Sequence, residues 1–273
     1  MRLFVTGASS FVGAHFCSLA SREGMIVHGL WRRTSLNLRG VVAVRGDAAS
    51  TRPSPGTEVV VHLATKVMAP DARDQNRRML DAVLSWGLPV VYASSTVVHW
   101  ERRNAYALSR IEDEDRVRAS GLPYLIVRPC APYGPRHAEH LPAHKESFHT
   151  LARMCRGWPA VPVLGDGNYR RQPVHVDDFN GAILRLVRAG AWNAAYDAGG
   201  PEPMTLRAII RALGGRRVVP LPRPLLRVIG PLAGMSADVI STFDTDDVVD
   251  PKPLAVASGL QPRAFDPGAL ANV

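Results

Sequence analysis

A chain of 273 residues that is 46% hydrophobic and 21% charged has the make-up of a globular protein, one large domain or two fused lobes, and this excludes disorder, collagen-like repeats and coiled coil. Basic residues outnumber acidic ones 33 to 24, a formal charge of +9, yet only Lys66, Lys145 and Lys252 are lysines, so an enzyme that needs a lysine has three to choose from. The arginines come as scattered pairs such as Arg32-Arg33 and Arg216-Arg217 rather than as a tract, which argues against a nucleic-acid partner. No secretory leader and no apolar run of membrane-spanning length is visible, so no membrane partner is expected. Cys17, Cys130 and Cys155 lack CxxC spacing, which suits a reduced, cytoplasmic setting without disulfides.

In chain order, short β-branched runs predict strands over 2–6, 25–31, 41–44, 58–64, 89–94 and 123–128. Helical patterns over 11–22, 72–86 and 105–119 lie between them. Near-continuous apolar runs such as 58–64 read as strands buried on both faces, and alternation with helices implies right-handed crossovers. The fold class is therefore α/β, a Rossmann-type doubly wound parallel sheet over 1–128, with a smaller substrate lobe over 129–273. Beyond residue 128, proline and glycine become denser and helices are predicted at 145–157, 177–189, 204–213 and 223–233. The lobe is expected to be interleaved with the sheet, a strand and helix near 171–189 returning to it.

The first strand-to-helix turn carries the first chemical signal. In Thr6-Gly-Ala-Ser-Ser-Phe-Val-Gly13, Gly7 permits the tight turn and Gly13 lets helix and strand approach. The N–H groups of Ser9, Ser10, Phe11 and Val12 then point at a pyrophosphate from the helix N-terminus. The bland alternative is a plain capped turn with Ser9 or Ser10 as N-cap. At the end of the second strand no carboxylate occurs between Gly24 and Asp47, where one would bind the ribose of NAD. Arg32 and Arg33 stand there instead and suit a 2′-phosphate, which favours NADP over NAD; a solvated loop is the other reading.

With TGASSFVG at 6–13, RGDA at 45–48, VVHLAT at 60–65, VVYASST at 90–96, YALSR at 106–110, LPYLIVRPCAPYGP at 122–135 and GDGNYRRQPVHVDD at 165–178, the chain resembles, nearly end to end, the extended short-chain dehydrogenase/reductase family of NAD(P)-dependent sugar-nucleotide epimerases, dehydratases and reductases. The resemblance implies that Asp47 and Ala48 line the adenine pocket, and that Ala64 and Thr65, following Leu63, pass the cofactor; Lys66 just beyond is read as reaching the cofactor or substrate phosphates, with a surface loop residue as the equal alternative. It implies that Ser95 and Thr96 sit at the substrate and that Tyr106 is the YxxxK tyrosine. There the tyrosine exchanges a proton with the substrate oxygen while the nicotinamide exchanges a hydride at the same carbon. Arg171 falls near the sugar-nucleotide phosphates, and Asp177 and Asp178 are expected to cap a helix. A homodimer through 72–86 and 105–119 is the family's assembly.

Three departures accompany the match. Ser10 stands at the middle glycine of GxxGxxG. Arg110 replaces the YxxxK lysine: it can still hold ribose and a positive charge, but it does not relay protons. Only 10 residues separate Ser95 from Tyr106, so the lip of the cleft is short. A roof is expected from 136–149, whose His137, His140, His144 and His149 lack the ligand spacing of a metal site. His99 reads as a loop histidine with acid–base chemistry as the lesser alternative. The function expected is NADP(H)-dependent reduction or epimerisation of a secondary alcohol or ketone on a nucleotide sugar. A dehydratase or cyclase without net cofactor turnover and an inactive NADP-binding sensor are the alternatives.

Overall fold

The computed structural model describes residues 1–67, 71–140, 142, 147–222, 224–225, 242 and 244–272. Seven parallel strands make the central sheet: β1 (Arg2–Thr6), β2 (Ile26–Trp31), β3 (Val41–Arg45), β4 (Val59–His62), β5 (Val90–Ala93), β6 (Tyr124–Pro129) and β9 (Ala194–Ala198). Their order, β3-β2-β1-β4-β5-β6-β9, reverses direction between β1 and β4, and such a switch opens a crevice beyond the strands' carboxyl ends.

Side-chain alternation explains why both faces are covered. Leu3, Val5, Val27, Val61, Val91, Leu125 and Val127 join one core beneath α1 (Phe11–Arg22) and α5 (Val176–Ala189). Val60, Val90, Tyr92 and Ile126 face the other way, against Leu80 and Val83 of α2 (Ala72–Ser85) and Val117 of α3 (Ala105–Ala119). The central strands, β4 most plainly, thus read as continuous apolar runs rather than alternating ones.

The second half contributes α4 (Ser147–Gly157), the parallel pair β7 (Val161–Leu164) and β11 (Val218–Leu221), β8 (Arg170–Arg171) paired with β10 (Met204–Thr205), and α6 (Leu206–Ala212). Tyr133, Phe148, Val161, Ile209 and Ile210 form their separate core. The returning elements differ from the expectation in one respect. Phe179, Ile183 and Leu186 of α5 share a core with the sheet's Leu125 and Val127, but the strand near 171 pairs with β10, and the seventh sheet strand is β9, whose Leu125–Ala194 to Pro129–Ala198 register continues β6. The helix expected at 223–233 falls largely outside the described residues, as does His144. Among the described residues no helix is long and apolar enough to cross a membrane.

Candidate active site

A cavity of about 680 Å³ opens at the strand-order reversal. Its floor is the β1–α1 turn. Gly7 has φ +71°, a conformation that L side chains rarely adopt, and a Cβ there would also strike the backbone of Ala64 at the end of β4. Ser10 caps α1, its hydroxyl accepting from Gly13 N at 3.0 Å. The capping reading of this turn holds, and the hydroxyl that caps the helix keeps its own hydrogen for donation. Phe11 and Val12 line the cavity in the first turn of α1, where backbone N–H groups have no intrahelical acceptor. That donor set fits a pyrophosphate.

Arg32, Arg33 and Thr34 line the wall beyond β2, opposite Asp47 and Ala48 beyond β3. Arg32 Nη1 lies 2.6 Å from Asp47 Oδ2. The Ala49 N–H, and after it Arg32, hold the Asp47 carboxyl below its usual range. Leu63, Ala64, Thr65 and Lys66 continue along the crevice. The Lys66 backbone is clamped in both directions by the buried Asn76 amide of α2, at 2.7 and 2.9 Å, and its ammonium pairs with Asp71 at 2.5 Å.

At the other end the cavity reaches Ser94, Ser95, Tyr106, Pro129, Ala131, Pro132 and Asp247. Ser95 caps the short 3-10 turn Thr96–His99, accepting from Val97 N, and Tyr106 projects from the first turn of α3, which Asn104 caps. Ala131 holds φ +44° in this wall.

Of the residues singled out from the sequence, Gly13, Thr96, Arg110 and Arg171 lie outside the cavity lining. Gly13 supports the turn from behind, packed on Gly7 O. Thr96 is buried, donating to Pro129 O at 3.4 Å. Arg171 stacks on Tyr169 and donates to Thr245 O at 2.6 Å. Arg110 is turned into the protein, 2% exposed, its guanidinium over the rings of Tyr106 and Tyr92 at 5.4 and 5.7 Å. Its Nη2 lies 2.8 Å from Asp113 Oδ2, yet neither Nη2 nor Nε has an aligned hydrogen-bond acceptor. Burial opposes its charge, but Tyr92, Tyr106, Asp113 and Glu114 together raise its pKa above the ordinary value.

Arg110 also acts on His62, whose Nδ1 is 2.7 Å from Thr6 Oγ1 and whose ring stacks on Tyr92. Burial first, and Arg110 second, push His62 down to about 3. A histidine depressed in the folded state contributes stability that is full above its unfolded value near 6.5 and is lost as pH falls towards 3. The expected slope from this one group is about 1.4 kcal/mol per pH unit below 6.5. Urea midpoints measured between pH 7 and pH 5 should therefore fall less steeply in His62→Asn than in the parent; equal slopes would remove His62 as the cause.

Each of the three described histidines of 136–149 is held by its own hydrogen bond. His137 meets Ser18 Oγ at 2.8 Å, His140 meets Ser9 O at 3.0 Å, and His149 meets Gly134 O at 2.9 Å. His99 pairs with Asp197 at 2.9 Å, outside the cavity. The expected capping aspartates are corrected: His175 caps α5, while Asp178 pairs with Arg263 at 2.7 Å and Asp177 lies 3.6 Å from His15. The His175 ring nitrogen Nδ1 accepts the Asp177 N–H much as an aspartate oxygen would. Gln75, Met79, Phe179 and Asp247 line the cavity without any motif having marked them.

A family model described as the NAD dependent epimerase/dehydratase family matches residues 3–199. The chain belongs to the NAD dependent epimerase/dehydratase family. It is an NAD(P)-dependent enzyme of the extended short-chain dehydrogenase/reductase type, similar to reductases and epimerases of that family. Ceramide reductase of Caulobacter vibrioides is 28% identical over 67% of this chain and 60% of its own length. The dTDP-4-dehydro-6-deoxy-D-allose reductase of Streptomyces bikiniensis is 24% identical over 96% of this chain and 94% of its own. Among solved structures, MoeE5 in complex with UDP-glucuronic acid and NAD covers 100% of this chain and 97% of its own, with a TM-score of 0.74 at 18% identity. MoeE5 has also been solved with UDP-glucose and NAD. For this family member the likeness to MoeE5, at 18% identity, shows a shared fold.

Proposed function

We propose that the chain is an NADP(H)-dependent reductase or epimerase acting on a secondary alcohol or ketone of a nucleotide-linked sugar. The observation that carries the reading is the continuity of one cavity, which holds the Gly7–Val12 turn and Arg32 at one end and Ser95 and Tyr106 at the other. The turn and the α1 N-terminus would hold the pyrophosphate, Asp47 and Ala48 the adenine side, and Arg32 with Arg33 a 2′-phosphate. A guanidinium has five N–H donors, so Arg32 can keep Asp47 and still donate to a phosphate. When bound, the nicotinamide supplies or accepts a hydride at the carbon bearing the reacting oxygen.

Tyr106 gives its phenolic proton to that oxygen in the reductive direction and takes it back from the hydroxyl in the oxidative one. Ser95 hydrogen-bonds the same oxygen and orients it. Arg110 holds a fixed positive charge against the Tyr106 ring, 5.4 Å from its centroid, a role that needs no proton transfer through the guanidinium and therefore suits arginine. Assembly as a homodimer through α2 and α3, and a cytoplasmic setting, belong to the same proposal.

The test follows NADPH absorbance with a panel of keto-sugar nucleotides. Arg32→Ala is expected to raise KM for NADPH about 10- to 100-fold, the worth of a charge-assisted hydrogen bond, and to leave KM for NADH nearly unchanged. Equal effects on both cofactors would overturn the NADP assignment. Stoichiometric bound cofactor of constant redox state during turnover would instead favour a dehydratase or cyclase, and tight NADPH binding with no turnover a sensor.

A further inference from the structure

We infer that Asp247 reads the sugar head group, selecting a neutral, hydroxyl-bearing ring over one that carries a carboxylate; the inference rests on the proposed function and names its substrate class more closely. Asp247 lines the cavity at the end that holds Tyr106, although it is only 7% exposed. Two neighbours set its place: Trp100, five residues past Ser95, donates from Nε1 to Asp247 Oδ1 at 3.3 Å, and Cys130, between the cavity-lining Pro129 and Ala131, donates to Asp247 O at 3.3 Å. Its own N–H donates to Arg170 O at 2.9 Å, so the backbone is tied on both sides of the side chain.

No ion pair to Asp247 occurs among the described residues, and the donors beside its side chain, the Trp100 indole N–H and the Cys130 thiol, are both neutral. An ionised carboxylate offers about four acceptor positions. Set in the cavity lining with only these neutral donors, the Asp247 side chain keeps acceptor positions open to whatever occupies the cavity. Sugar hydroxyls supply them. A uronate would set a second negative charge against it in a space of low dielectric, which disfavours binding. The carboxylate also sits on the substrate side, away from Arg32 and Arg33, so cofactor binding should be indifferent to it.

The experiment is calorimetric titration of the NADP-loaded protein with UDP-glucose and UDP-glucuronic acid, repeated with the matching dTDP pair so that the base is not the variable. The parent is expected to bind the glucose form at least about tenfold tighter than the glucuronic acid form. Asp247→Asn keeps the acceptor for Trp100 and should narrow that ratio to about threefold or less, with the melting temperature and NADP affinity unchanged. Equal affinity for both sugars in the parent, or an unchanged ratio in Asp247→Asn, overturns the inference alone. Binding of neither sugar while NADP still binds overturns the proposed substrate class and the inference with it.

Discussion

Tyr106→Phe is expected to lower kcat/KM for a keto-sugar nucleotide by about 10²- to 10⁴-fold, the usual worth of a positioned general acid. The phenyl ring keeps the half-buried packing of Tyr106 and its contact with the Arg110 guanidinium, so thermal unfolding and NADPH binding should stay close to the parent's. What disappears is the one hydroxyl on α3 that lines the cavity beside Ser95. Single-turnover reduction of NADPH-loaded protein measures the loss without interference from product release. Turnover within threefold of the parent would mean that another group moves the proton, and the role assigned to Tyr106 would fall.

The second large effect lies in stability. Arg110→Met removes a cation that is 2% exposed and leaves Asp113, 5% exposed, with only the Tyr92 hydroxyl at 2.9 Å. Breaking one side of a buried pair costs about 3–5 kcal/mol because the remaining charge is stranded. Burial already raises the Asp113 carboxyl above its usual range even with Arg110 beside it. Without the cation Asp113 can therefore protonate in the folded state, and the loss should be smaller at pH 5 than at pH 8. Denaturant midpoints at those two pH values check the sign. A second change, Asp113→Leu, should recover much of the lost stability, whereas Arg110→Lys, which keeps the charge, should lose far less. An Arg110→Met protein as stable as the parent would show that the pair holds nothing together.

The contrast between Arg110 and Tyr106 shows how far sequence spacing carries. Both belong to one motif on α3, and spacing correctly brought Tyr106 to the cavity. Spacing is silent about a buried carboxylate one turn further on: Asp113, at i+3 from Arg110, draws the guanidinium into the protein, where Tyr92 and Tyr106 flank it. The glycine turn and the arginines after β2 were legible because backbone conformation and charge dictate them locally. Strand β9 was not, since Ala194-Ala-Tyr-Asp-Ala198 has no β-branched residue and joins the sheet through backbone pairing with β6. Asp247 was equally hidden. It stands in an acidic stretch with Asp244, Asp246 and Asp250, and only tertiary contacts with Trp100, Cys130 and Arg170 distinguish it from its neighbours.

The β6–β9 pairing bears on the order in which a nascent chain can complete itself. When residue 129 has left the ribosome, β6 is the last strand available and presents a free edge, with Leu125 and Val127 uncovered by α5. Its hydrogen-bonding partner arrives only with residues 194–198, after α4, β7, β8 and α5 have been synthesised. An open, apolar edge is a template for pairing with other chains. During translation the central sheet is therefore expected to stay open to misassembly at this edge until residues 194–198 have emerged, and the closing strand ties the two halves of the sequence together.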